Sequence, residues 1–63
     1  MYKNILAEMA RNDYTREKLA NEMKLAVPTF RKKIRGNVPW KIDEIDYLLS
    51  LFGTTYEYLF QKL

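Results

Sequence analysis

Thr15-Arg16-Glu17-Lys18-Leu19-Ala20-Asn21-Glu22-Met23-Lys24-Leu25-Ala26-Val27-Pro28-Thr29-Phe30-Arg31-Lys32-Lys33-Ile34-Arg35-Gly36 reads as two short helices and the turn between them. Thr15 is suited to cap the first helix, because its hydroxyl can accept a bond from an orphan N–H two or three residues on. Leu19, Ala20 and Met23 then share one face, which predicts a helix over about 16–23. Leu25 closes that segment. Pro28 is tolerated only in a first turn, where its missing N–H is not wanted, so the second helix is expected to start at Val27 or just before. It should stop at Gly36, since a left-handed residue past a helix end costs glycine little.

The second helix is apolar inside and cationic outside. With Phe30 taken as the origin of a helical wheel and each residue advancing 100°, Ile34 lies at about 40°, Arg31 at about 100°, Arg35 at about 140°, Pro28 at about 160° and Lys32 at about 200°. Lys33, at about 300°, flanks the outer face on the side opposite Arg31. A strip of this kind, with cations at its centre and edges, matches a helix lying in a groove between two rows of phosphates.

Charge along the whole chain agrees with this. The 63 residues carry a net +3, but residues 1–23 cancel, residues 24–41 hold Lys24, Arg31, Lys32, Lys33, Arg35 and Lys41 without a single acid, and residues 42–63 are acidic. The central block therefore reads as an electrostatic footprint for a polyanion, and nucleic acid is the polyanion it fits best.

Length leaves room for one domain with one small core. The absence of cysteine excludes disulfides, thiolate metal sites and cysteine nucleophiles. Apolar residues come in short groups, well under the roughly 18 consecutive ones that suggest a membrane span, and Met-Tyr-Lys-Asn-Ile-Leu-Ala-Glu lacks the apolar run of a secretory signal. A soluble intracellular protein is the expectation.

Further elements flank the central pair. Ile5, Leu6, Met9 and Ala10 recur on one face of a helix over about 3–11, which Asn12-Asp13 interrupts. After Gly36-Asn37-Val38-Pro39-Trp40, a fourth helix should begin near Ile42 and end at Gly53, with Asp43 and Glu44 in the first turn where the helix dipole favours them. Trp40 and Ile45 are spaced for a hydrophobic staple. Ile42, Ile45, Leu48, Leu49, Leu51 and Phe52 form an apolar arc of about 180°, wider than a surface helix needs, so this helix should be central or partly at an interface. Thr55 should cap a last helix over 56–62 that carries Tyr56, Leu59 and Phe60, with Leu63 just beyond. The expected fold class is all-α: five short helices in a compact domain.

Two short helices joined through Leu25-Ala26, the second basic, make a helix-turn-helix. Ala20 supplies the small residue needed where the helices cross, and Leu25 and Phe30 fill the wedge. Here the chain resembles the lambda-repressor-like (Cro/CI, XRE-type) helix-turn-helix family, especially short phage Cro-like and repressor-like regulators. The resemblance rests on Thr29-Phe30-x-x-Lys33-Ile34-x-Gly36, Trp40, Glu44-Ile45, Leu51-Phe52-Gly53 and Tyr58-Leu59-Phe60, and covers about residues 4–61. The chain departs from the family at two positions: Lys24 stands where the turn often has glycine, and Ala26 where the second helix usually has a Ser or Asn cap. Each departure should cost about 1 kcal/mol.

The resemblance implies a sequence-specific, double-stranded DNA-binding transcriptional regulator that acts as a homodimer, at least on DNA, in the cytoplasm of a bacterial or phage-infected cell. It implies no membrane partner, small-molecule substrate or cofactor. Carried over by position, Val27, Pro28, Arg31 and Lys32 would read base edges, and Arg16, Thr29, Lys33, Arg35, Asn37 and Lys41 would meet phosphates. The acidic, aromatic last third, with the broad arc of the fourth helix, is the expected place for a dimer contact. An enzyme is not expected: histidine and cysteine are lacking, Ser50 is the one serine, there is no glycine-rich phosphate loop, and Asp43, Glu44 and Asp46 are accounted for by a helix start. A protein-interaction module of the same fold, such as an antitoxin, antirepressor or adaptor that turns its basic face to an acidic protein, is the alternative. Length is compatible with a whole regulator or with a domain of a longer repressor.

Overall fold

The computed structural model describes residues 1–62. Among them the chain forms five α-helices and no strand: α1 Lys3–Arg11, α2 Arg16–Glu22, α3 Val27–Arg35, α4 Ile42–Phe52 and α5 Tyr56–Leu59. Local chemistry sets most of the boundaries. The Thr15 hydroxyl accepts the Lys18 N–H at 3.1 Å, and the Thr55 hydroxyl accepts that of Tyr58 at 3.3 Å. Gly36 and Gly53 end α3 and α4 in the left-handed region, at φ 88° and 62°.

Two boundaries differ from the expectation. Helix α2 stops at Glu22, with Met23 as its cap, because the chain must already turn toward Lys24, whose φ is +59°. Helix α5 is only Tyr56–Leu59 rather than 56–62. Its carboxyl end is taken over by α1: the Asn4 side-chain amide donates to the Tyr58 carbonyl at 2.8 Å, and Phe60 leaves the helical path to pack among aromatic rings. Leu63 lies outside the described residues.

The core takes one or two side chains from every helix. Ile5 and Met9 of α1, Leu19 and Ala20 of α2, Phe30 and Ile34 of α3, Leu48 of α4 and Leu59 of α5 are all buried. Helices α2 and α3 pack most extensively, with Ala20 fully buried, so the two can approach closely there. Truncating Phe30 to alanine would cost about 3–5 kcal/mol in transfer and cavity terms. Trp40 seals the base of this core edge-on, its ring centroid 6.0 Å from that of Phe30, 6.3 Å from Tyr2 and 5.8 Å from Phe60. The Tyr2 N–H donates to the Ile34 carbonyl at 2.9 Å and so ties the N-terminus to the end of α3.

The apolar arc of α4 is only partly inward. Leu48 is buried and Ile45, Leu49, Leu51 and Phe52 are half-buried, but Ile42 is 79% exposed. It occupies the first residue of the helix, outboard of the core. No helix among the described residues is long and apolar enough to cross a membrane.

Candidate nucleic-acid interface

Helix α3 is held from below, which leaves its opposite side free. Phe30 and Ile34 anchor it in the core, and a tight turn fixes its approach to α2: the Leu25 N–H donates to the Ala20 carbonyl at 2.8 Å, and that of Lys24 to Asn21 at 3.1 Å. The first turn has no side-chain cap, because Ala26 offers no acceptor, while Val27 and Pro28 start the helix. Lys24 takes the left-handed conformation that the turn requires, although a side chain there is strained.

Pro28, Arg31, Lys32 and Arg35 are exposed along the free side of α3. Arg16 is exposed at the start of α2, and Asn37 and Lys41 are exposed in the loop after α3. Arg16, Arg31, Lys32, Arg35 and Lys41 enter no ion pair among the described residues. Five cations thus stand on or beside one helix with no carboxylate neutralising them, an arrangement that attracts a polyanion. Arg16 and Arg31 also share the wall of a concavity with Thr15 and Glu17, between the start of α2 and α3. Thr29 is half-buried. Val27 is half-buried as well and packs against the core, so its side chain is only partly available to a ligand.

Lys33 is not on this surface, which corrects its expected role as a phosphate contact. It is only 3% exposed, and its ammonium donates to the Glu44 carboxylate at 2.5 Å. The same Glu44 oxygen accepts the backbone N–H of Lys41 at 2.9 Å. The Lys33 ammonium also lies 5.8 Å from the centre of the Trp40 ring. The wheel carries the reason. At about 300° Lys33 is only about 60° from Phe30, on the side that α4 and Trp40 cover. Glu44 is the functional partner that sequence reasoning missed. The spacing Lys41-x-x-Glu44 was a usable signal, since an acid three residues into a helix commonly turns back to the cap. Here only that half of the capping box exists, because the lysine side chain has nothing with which to accept a bond.

Two further carboxylates serve the scaffold away from α3. Glu22 accepts the hydroxyls of Tyr47 at 2.9 Å and Tyr14 at 3.3 Å, which joins α2 to α4 and to the segment before α2. Buried Glu8 accepts the hydroxyl of Tyr58 at 3.0 Å, with Arg11 3.5 Å from the same carboxylate oxygen. These bonds hold the phenols in their neutral form. The hydrogen bond to Glu22 raises the Tyr47 pKa, and the bond to Glu8 raises that of Tyr58. Partial desolvation, then Glu22, does the same for Tyr14.

A second concavity, of about 300 Å³, lies between the α3–α4 loop and α5, where the aromatic rings of Trp40, Tyr56 and Phe60 and the side chains of Val38, Pro39 and Ile45 share the wall with Lys62. Tyr56 is 54% exposed there and stacks on Phe60 at 5.3 Å. Ile42 stands one helical turn before Ile45 on α4. Set beside known proteins, the chain matches no family model, no curated protein and no solved structure.

Proposed function

We propose that the chain is a lambda-repressor-like helix-turn-helix domain and a sequence-specific, double-stranded DNA-binding transcriptional regulator of the phage Cro or repressor type. It reads its operator with α3 in the major groove and acts by occupancy. The observation that carries this reading is the free side of α3, where Pro28, Arg31, Lys32 and Arg35 stand exposed, the three cations without an ion pair among the described residues, while Phe30 and Ile34 hold the helix from behind. The major groove, about 12 Å wide, admits a helix presented in this way. Lys32, at the centre of the strip, suits guanine O6 and N7, and Pro28 suits a thymine methyl. Arg16, Arg35, Asn37 and Lys41 surround that centre and supply phosphate contacts.

A helix of this length reads only a few base pairs, so two protomers on a pseudo-palindrome are the economical route to specificity. The exposed Tyr56 in this groove, and the exposed Ile42 at the start of α4, support a homodimer through the last third of the chain. Nothing in the reading calls for a cofactor or catalysis.

Selection of bound sites from a random duplex library tests the proposal. We expect two symmetric half-sites about one helical turn apart. With Lys33 withdrawn from the phosphate contacts, three or four cationic contacts per protomer should give a slope of log K against log[salt] of about −3 to −4. Absence of preference for any duplex over random DNA at moderate salt would falsify the regulator reading, and capture of an acidic protein by the same face would favour an interaction module.

A further inference from the structure

Arg31 faces a different direction from Lys32, and the concave surface beside it has a composition of its own. Arg16 of α2 and Arg31, Ile34 and Arg35 of α3 line a concavity of about 250 Å³, closed on one side by Met1. Three arginines from two helices thus line one small space, and none of the three is in an ion pair among the described residues. Glu17 stands in the adjoining concavity with Arg16 and Arg31 and pairs with neither. Three like charges lining one space repel, and the seating of α2 on α3 fixes where their backbones stand. A tetrahedral oxyanion answers this arrangement best, because each guanidinium fork can donate two parallel bonds to phosphate oxygens.

We infer that Arg16, Arg31 and Arg35 form one pocket for a single phosphate group, a DNA backbone phosphodiester at the edge of the groove that α3 enters. This rests on the DNA-binding reading and alters one assignment within it. Arg31 becomes a phosphate clamp rather than a reader of bases, so sequence choice by α3 falls chiefly to Lys32 and Pro28. The clamp also has a geometric consequence. Arg16 and the α3 pair hold the same phosphate from two helices, which fixes how deeply α3 sits and hence which base edges Lys32 can reach.

The experiment uses the full chain and the duplex obtained by selection. One neutral methylphosphonate linkage is moved along each strand, and affinity is measured for the wild type, Arg31→Gln, Arg31→Lys and Lys32→Gln. At one linkage position we expect the wild type to weaken most, and Arg31→Gln, already weakened, to lose clearly less there, because only Arg16 and Arg35 remain on that phosphate. Arg31→Gln should weaken selected and random duplexes by the same factor and make the salt slope shallower by less than about one, because Arg16 and Arg35 still neutralise that phosphate. Arg31→Lys should retain that slope but lose part of the affinity, because the fork is gone. Lys32→Gln should instead relax the preference at particular base pairs. Both substituted positions, Arg31 and Lys32, carry exposed side chains, and the thermal midpoint of each variant checks folding. If Arg31→Gln relaxes the preference at a base pair and loses as much as the wild type at every methylphosphonate, the pocket assignment is overturned while DNA reading stands. If no duplex is preferred in the first place, DNA reading itself has failed. A soluble nucleotide carries the same phosphate chemistry. Saturation of the three arginine Nε–H resonances by adenosine monophosphate below millimolar concentration, at constant ionic strength, would assign the pocket to a small anion and overturn the backbone assignment.

Discussion

Lys32 and Lys33 are neighbours in the sequence and belong to opposite regions of the molecule. Lys32 lies on the free side of α3, exposed and without an ion pair among the described residues, whereas Lys33 lies in the seam between α3 and α4, paired with Glu44 beneath the Trp40 ring. A step of about 100° around one helix separates a charge offered to a partner from a charge consumed by the fold. The contrast teaches that a basic run is not a list of ligands. What a cation is worth to binding depends on whether a carboxylate inside the same chain has already claimed it.

The largest expected effect comes from breaking the seam. Lys33→Met strands the buried Glu44 carboxylate and should cost about 3–5 kcal/mol, enough to leave a domain of this size largely unfolded. The double variant Lys33→Met/Glu44→Leu removes both charges and should recover most of that loss, read as the midpoint of urea unfolding. A single variant as stable as the wild type would return Lys33 to the surface and erase the contrast.

On the free side the balance reverses. Lys32→Ala should change stability by less than about 0.5 kcal/mol. It should cost about 1–3 kcal/mol of discrimination at the base pairs it reads, measured on the selected duplex against single-base changes. Equal losses on every sequence would instead make Lys32 a phosphate contact.

The turn that aims α3 offers a smaller test. Lys24 holds φ at +59°, a conformation that costs a side chain but not glycine. Lys24→Gly should raise stability by up to about 1 kcal/mol in urea unfolding and leave base preference unchanged. A lower midpoint would mean that the lysine side chain makes a contact worth more than the strain.

The smallest effect concerns pH. The bonds to Glu22 and Glu8 raise the pKa of Tyr47 and Tyr58 above the ordinary phenol value of 10.0, and partial desolvation, then Glu22, raises that of Tyr14. A group whose pKa is raised by folding contributes stability that is complete below its unfolded value and is lost as pH rises through its folded one. Unfolding midpoints should therefore fall above about pH 10, and Tyr58→Phe should make that fall shallower. An unchanged alkaline profile in Tyr58→Phe would remove Glu8 from the account.

Much of this arrangement was legible in the chain itself. Thr15, Thr55, Pro28, Gly36 and Gly53 mark helix ends through local chemistry that acts within a few residues, and the structure keeps those ends. The inward pair Phe30 and Ile34 and the outward Pro28, Arg31, Lys32 and Arg35 follow from helical periodicity alone. The true length of α5 was not legible, because Asn4, on another helix, ends it. Nor were the carboxylate pairs of Tyr14, Tyr47 and Tyr58, whose partners lie 8 to 50 residues away.

By itself, then, the sequence determined the helices, their order, the polarity of each face and the acid-free block around α3, since these depend on spacing and on neighbours along the chain. Only the tertiary structure decided which cations are free: Glu44 takes Lys33, and Arg16 joins Arg31 and Arg35 around one concavity. Both outcomes depend on how separate helices meet, and that is fixed by packing around Phe30, Ala20 and Trp40 rather than by any local propensity.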